Sequence, residues 1–365
     1  MREILDDLAR WRAEGRRIAL ARVVDVEGSG PRLPGAAMAV NEAGEVIGSV
    51  SGGCVEGAVV AEALALLEAG GDGRLVTFGY SDDDAFAVGL TCGGTIHLFL
   101  EELDWWDLFE PFAAAVRAYE PVALVTVVDG PDRHGAKMLV APGVEPRGSL
   151  GDDDLDRVCG RDAEAELDAG QSVLRHYGLA NDRQVFMEAF APPPRMFVFG
   201  AVDFTAALVR VAKVLGYSVT VCDAREAFAT TRRFPLADEV LVEWPHRALE
   251  RITQPLSSRD AVCVLTHDHK FDIPAIVAAL ATDVGYIGAM GSRRTHAERV
   301  ERLSEAGVSA ADLERVHGPI GLDIGARSPE ETAISICAEI IASRTGPEGR
   351  VVQSLRATDG PIHAR

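Results

Sequence analysis

Three consecutive prolines, Pro192-Pro193-Pro194, divide this 365-residue chain, and the pattern that follows them is the strongest constraint on its fold. Such a run makes a stiff, extended connector that no helix can cross. Beyond it, short apolar runs at residues 196–199, 218–222, 239–243, 261–266 and 285–287 alternate with longer stretches, including a helix over 204–215. Strands that are apolar at almost every position are buried on both faces. The pattern therefore predicts an α/β, Rossmann-like nucleotide-binding domain over residues 195–345, with a mostly parallel sheet covered by helices on both sides. Ser328-Pro329-Glu330-Glu331 marks the start of its last helix, with a capping serine, a proline at the first helical position and a glutamate that can reach back to the cap.

Residues 1–191 read as a separate, mixed α/β domain. Ile4, Leu5, Leu8 and Trp11 have helical spacing, residues 18–26 read as a strand, and a second strand region over 37–50 folds back at Asn41-Glu42-Ala43-Gly44. Ser51-Gly52-Gly53-Cys54 then leads into an alanine- and leucine-rich helix that stops at Gly70-Gly71, and strands follow at 75–80 and 96–100. Residues 105–191 read as helix, strand, hairpin, strand, a helix over 152–169 and two closing strands, with little recognisable chemistry. Residues 346–365, which include Gly346, Pro347 and Gly349, read as a mobile tail.

Composition narrows the function. With 36 basic and 56 acidic residues the net charge is −20, which repels a phosphate backbone and argues against nucleic acid as a partner. The opening Met1-Arg2-Glu3-Ile4-Leu5-Asp6-Asp7 carries acids where a secretory leader carries bases, and no apolar run nears the roughly 18 residues of a membrane span; the expectation is a soluble, cytoplasmic protein. The six cysteines form no CxxC pair, so neither a disulfide framework nor a zinc ribbon is expected, and Cys222, Cys263 and Cys337 lie in apolar runs typical of core thiols.

Four stretches carry candidate chemistry. Gly52-Gly53-Cys54 stands at a helix start, where the helix dipole favours a thiolate able to bind metal or accept sulfur, although Glu56 partly offsets that dipole and an inert buried thiol is the alternative. Cys92, in Thr91-Cys92-Gly93-Gly94, is a second thiol candidate, open between site and core. Gly200 follows a strand and precedes a helix, and Asp223 lies at the end of the next strand, where a carboxylate can accept ribose hydroxyls. Yet Val202 replaces the second glycine of a dinucleotide fingerprint and Asp203 follows it, which disfavours NAD(P) and leaves a Rossmann scaffold with a tightened or lost nucleotide site as the other reading. The loop Gly288-Ala289-Met290-Gly291-Ser292-Arg293-Arg294 suits an anion through backbone donors and two arginines, or is a glycine turn with solvated charges. His267-Asp268-His269 ends a strand at the edge where open α/β sheets bind ligands, open between a metal, hydrogen bonding to a ligand and structure, and Asp323 stands in a later loop, open between ligand binding and structure.

Taken in order, Gly28-Ser29-Gly30-Pro31-Arg32 with Gly35, Ser51-Gly52-Gly53-Cys54-Val55-Glu56, Thr91-Cys92-Gly93-Gly94 and the stretch 265–326 resemble the XdhC/CoxI family, accessory proteins of xanthine dehydrogenase and related molybdenum hydroxylases. The resemblance spans roughly residues 10–100 and 195–345, with a weaker echo in Gly148-Ser149-Leu150-Gly151. It implies a chaperone that binds molybdenum cofactor (molybdopterin, with or without an attached nucleotide) and helps load its sulfurated form into a hydroxylase apoenzyme. Cys54 is then the candidate molybdenum contact, with a cysteine desulfurase and a second copy of the chain as further candidate partners. The competing reading is an NAD(P)- or flavin-dependent oxidoreductase using Gly200 and Asp223, with His267 or His269 as acid–base group. Xanthine dehydrogenase activity itself is not expected, since that chemistry needs iron–sulfur clusters and the chain lacks their clustered cysteine ligands.

Overall fold

A computed structural model describes residues 1–28, 30, 32–79, 94–131, 134–178 and 180–345. Ser29, Pro31, Cys92 with its neighbours Thr91 and Gly93, and the tail 346–365 lie outside the described residues. The chain divides into two compact units, which meet in sequence at Pro192 and Pro193.

The first unit is one architecture built twice. Its first half runs α1 (Leu5–Ala13), β1 (Ile18–Glu27), β2 (Ala37–Asn41), β3 (Val46–Gly48), α2 (Glu56–Ala69), β4 (Arg74–Phe78) and β5 (Thr95–Glu102). Its second half repeats the order as α3 (Trp106–Arg117), β6 (Val122–Asp129), β7 (Lys137–Ala141), β8 (Val144–Ser149), α4 (Asp153–Ala169), β9 (Val173–Tyr177) and β10 (Arg183–Phe190). The two antiparallel sheets have corresponding strand orders, β3-β2-β1-β5-β4 and β8-β7-β6-β10-β9.

The equivalence holds residue by residue. Leu20 pairs with Glu101 and Arg22 with Phe99 in the first sheet, while Leu124 pairs with Glu188 and Thr126 with Phe186 in the second. Both sheets have a bulge at the same place, at Val24 and Val128, after which Asp25 faces His97 and Asp129 faces Gln184. Gly48 and Gly148 both have positive φ, +77° and +87°, and a Cβ on either would lie 2.3 or 2.4 Å from the carbonyl oxygen of Ala37 or Lys137. No other residue fits there, which explains the Gly-Ser echo.

Each sheet buries one face under its own helix: α2 covers Ala19, Ala21, Val23, Leu98 and Leu100, and α4 covers Ala123, Val125, Val127, Val185 and Met187. Alternation sends the remaining side chains to the opposite face. There Val24, Phe99, Val128 and Phe186 form a shared core, flanked by Leu75 and Leu174. Beside it lies a fully buried ionic cluster. Arg22 Nη2 donates to Glu101 Oε1 at 2.9 Å and Nη1 to Glu188, and Lys137 Nζ also donates to Glu101. The two acids are counterparts in the duplication; the two bases are not.

The second unit contains β11 (Arg195–Phe199), α5 (Asp203–Val214), β12 (Ser218–Cys222), β13 (Glu239–Leu241), α6 (Pro245–Glu250), β14 (Ala261–Val264), α7 (His269–Leu280), β15 (Tyr286–Ala289), α8 (Arg293–Glu305), α9 (Ala310–Glu314), β16 (Val316–His317) and α10 (Pro329–Thr345). All pairings are parallel, in the order β13-β12-β11-β14-β15-β16, so the Rossmann-like expectation holds and the chain reverses its strand order between β11 and β14. Met196 and Val198 pack under α5 and α10, and Phe197 and Phe199 face the α6–α8 side, so every β11 position is buried or nearly so.

Candidate functional site

The thiol loop is shaped by Glu56, in the first turn of α2. Its carboxylate turns back and accepts from Ser49 Oγ at 2.7 Å, Ser51 N at 2.9 Å, Gly53 N at 2.8 Å and Ser51 Oγ. Ser51 Oγ in turn accepts from Cys54 N at 3.0 Å and Val55 N at 3.1 Å, capping the helix in place of the non-polar residue at its formal cap. Burial pushes the Glu56 carboxyl up, but these donors outweigh it and hold it at about 2. The amides that would otherwise face a ligand are therefore spent on the loop's own serines and glutamate. What the loop presents is backbone at Gly52 and Gly53 where an added Cβ would meet nothing within 4 Å among the described residues, next to the half-buried Cys54 side chain packed at the edge of the α2 core. Cys92, the second thiol candidate, lies outside the described residues.

In the second unit, Gly200 has φ +114° and sits at the strand-order reversal, where an added Cβ would lie 2.9 Å from Thr266 Cγ2. Asp223 is at the end of β12, as its spacing suggested, but its oxygens are already occupied. They accept from Ala201 N at 2.8 Å and Arg225 N at 2.9 Å, and from Arg225 Nε and Nη2 at 2.9 and 2.7 Å. Burial raises its pKa, and Arg225 with the two amides more than reverses this, keeping the carboxyl below its usual range. Arg233 Nη1 donates to Ala201 O at 3.0 Å, so a second arginine reaches the same turn, and Phe228 lies against both guanidinium groups.

Around β14 and β15 the candidates take different roles. Asp268 caps α7 through Lys270 N at 3.1 Å, His267 is exposed, and His269 opens the helix with its Nδ1 buried and without a partner among the described residues. Among the described residues no three-residue set of metal-ligating side chains includes them. Gly288 is a packing residue, because a Cβ there would lie 2.5 Å from Ile320, whereas Gly291 turns the chain into the α8 cap, where Ser292 accepts from Thr295 N at 3.1 Å. Arg293 is exposed and Arg294 pairs with Glu298 on the helix surface at 3.0 Å. Asp323 is exposed in the loop before α10.

The sequence reading missed Arg299. Its side chain is fully buried one turn further along α8 and donates from Nη2 to Asp272 Oδ2 at 3.0 Å and to Met290 O at 2.7 Å; Asp272 also accepts from Thr266 Oγ1, and Arg299 Nε and Nη1 have no partner among the described residues. This chain of contacts ties the end of β14, α7 and the glycine loop together. Its one sequence signal is a charge four residues before the core residue Leu303, on the helix face that should be apolar.

The profile described as the XdhC Rossmann domain matches residues 196–340, and that described as the XdhC and CoxI family matches residues 11–79 and 115–178, one segment in each copy of the duplicated unit. The chain belongs to the XdhC and CoxI family. This XdhC/CoxI protein is 30% identical to a probable xanthine dehydrogenase subunit from Bacillus subtilis, over 89% of its own length and 92% of the relative's. It is 27% identical to the molybdenum cofactor insertion chaperone PaoD of Escherichia coli, over 92% and 86% of the two chains. A crystal structure from Bacillus halodurans titled as a xanthine dehydrogenase superposes with a TM-score of 0.65 at 26% identity, covering 93% of this chain and 95% of that one. Among the described residues no helix is long and apolar enough to cross a membrane.

Proposed function

We propose that this XdhC/CoxI protein is an accessory factor that binds molybdenum cofactor as cargo and helps insert its sulfurated form into a molybdenum hydroxylase apoenzyme. The observation that carries the reading is the Cys54 loop: a half-covered soft donor beside two glycines over which no described residue packs, on a backbone held by Glu56 and Ser51. A thiol is the side chain that suits molybdenum or a sulfur atom in transit. The family membership and the similarity to an insertion chaperone support the same reading. The α8 N-terminus, with Arg299 behind Gly291, is the proposed seat for a cofactor phosphate, and a cysteine desulfurase is the proposed source of sulfur. The oxidoreductase reading would need a free acid at Asp223 and a glycine at 202, and has neither.

The test is Cys54→Ser in a host lacking the native gene. The partner hydroxylase should assemble but remain deficient in active, sulfurated cofactor, while the variant's stability changes by about 1 kcal/mol or less, as for a near-isosteric swap. Full hydroxylase activity with the variant would remove the thiol from the mechanism. Calorimetry of the unmodified protein should show no tight binding of NAD(H) or NADP(H); tight binding would restore the oxidoreductase.

A further inference from the structure

The duplication exposes a second difference between the halves, away from the thiol loop and on the opposite face of the first sheet. After the Val24 bulge, Asp25 and Glu27 on β1 and His97 on β5 project from that face together, and their ligand atoms all lie within 4.8 Å of one another. His97 is half-buried and its ring is fixed at both ends: Nδ1 lies 3.0 Å from Thr77 Oγ1 on β4, and Nε2 lies 3.3 Å from Glu27 Oε1. The second half has the same strands, register and bulge, and so provides the comparison. There Gln184 replaces His97, and Asp129, the counterpart of Asp25, accepts its amide at 3.3 Å. Asp129 also accepts from Gly130 N at 3.0 Å, with His134 Nε2 3.9 Å away on the following loop. In the first copy two carboxylates and an imidazole, all carried by the paired strands β1 and β5, converge on one point, and a cation there would balance their charge.

From this contrast we infer that Asp25, Glu27 and His97 form a binding site for a divalent transition-metal ion such as Mn²⁺, Fe²⁺ or Zn²⁺. Two carboxylates with one imidazole match the ions that accept both oxygen and nitrogen, and the imidazole selects against Ca²⁺ and Mg²⁺. Ligand atoms about 2.0–2.2 Å from such an ion lie about 3–4 Å from one another, so a small inward adjustment of the three side chains completes the set. Thr77 supplies the outer hydrogen bond that orients a ligating histidine. The site joins β1 to β5 and is independent of the molybdenum reading.

Mn²⁺ is the probe, because the electron paramagnetic resonance signal of the free ion counts what is unbound and the ion has little affinity for thiols. Full-length, metal-stripped protein should bind one Mn²⁺ per chain and melt at a higher temperature with it. His97→Gln, which installs the residue type of the second half, and Glu27→Gln should each weaken binding about tenfold or more and abolish the metal-induced rise, with the metal-free melting temperature unchanged. Cys54→Ser should bind Mn²⁺ like the unmodified chain. The inference is overturned if millimolar Mn²⁺ gives no bound ion, if His97→Gln binds as tightly as the unmodified chain, or if Cys54→Ser loses the ion.

Discussion

The two halves of the first unit share a fold and differ in what they do with the turn before the helix. In the first half, Ser49 together with Ser51-Gly52-Gly53-Cys54-Val55-Glu56 spends one glutamate and two serines on holding a glycine turn with a thiol beside it. In the second, the equivalent stretch is Gly151-Asp152-Asp153-Asp154-Leu155-Asp156: Asp152 caps α4 through Asp154 N and Leu155 N, and Asp156 accepts from Leu150 N. Val50 and Leu150, and Val55 and Leu155, are buried alike. The scaffold positions are kept, while the positions facing solvent exchange Gly-Gly-Cys for three aspartates. A duplicated fold needs its core in both copies, while the turn before the helix is free to differ, and an acid cap is an ordinary way to finish a helix N-terminus.

The sharpest contrast should appear in thiol reactivity. Cys159, in the second half, is fully buried in α4, and burial pushes its thiol up to about 12. Iodoacetamide at pH 8 should leave Cys159 of the native protein unlabelled and alkylate Cys54, with rates orders of magnitude apart when each peptide is followed by mass spectrometry. Equal labelling of the two would erase the functional distinction between the copies.

The next effect is on what joins the halves. Arg22→Met leaves Glu188 buried without its partner and should cost roughly 3–5 kcal/mol in urea unfolding. Arg22→Met with Glu188→Leu should recover most of that, since Lys137 still pairs Glu101. If the double variant is no more stable than the single one, the cluster holds the halves by something other than charge pairing.

A smaller effect separates the turns themselves. Ser51→Ala removes the acceptor for two helix amides and should cost about 1 kcal/mol, whereas Ser149→Ala in the second half, whose hydroxyl takes only Gly151 N, should cost less. Similar losses from both would mean that the first turn is no more tightly organised than the second.

The mildest signature is in acid. Glu56 titrates near 2 in the folded chain against roughly 4.3 when unfolded, so its contribution is complete above the unfolded value and disappears as pH falls through the folded one. Glu56→Gln should therefore narrow its stability gap to the unmodified protein between about pH 4.5 and 2, as read from melting temperatures. A gap constant through that window would mean that the carboxylate's charge plays no part in the turn.

Much of this was legible in the chain alone. Alternating apolar runs beyond the prolines are enough to read a parallel sheet, because strands buried on both faces leave little room for another sequence. The Ser51-Gly52-Gly53-Cys54 segment announces a tight turn into a helix. The duplication was visible only as the echo at Gly148-Ser149, since the halves share core volume and backbone geometry rather than residue identity. Asp223 was found at the right place with the wrong availability: its spacing locates the strand end, but nothing in the spacing reveals that Arg225 folds back to occupy it.

Local sequence determined the elements, the caps and the division at the prolines, because propensity, hydrophobic period and proline geometry act over a few residues. The tertiary structure alone decided which charges meet. Arg22 finds Glu188, Asp272 finds Arg299, and Asp25 and Glu27 find His97 across 166, 27 and 70 or more positions of chain. Those pairings depend on the packing of one copy against the other for Arg22, of helix against helix for Asp272, and on sheet register for His97, and each partner, taken alone in the sequence, is an ordinary charged residue.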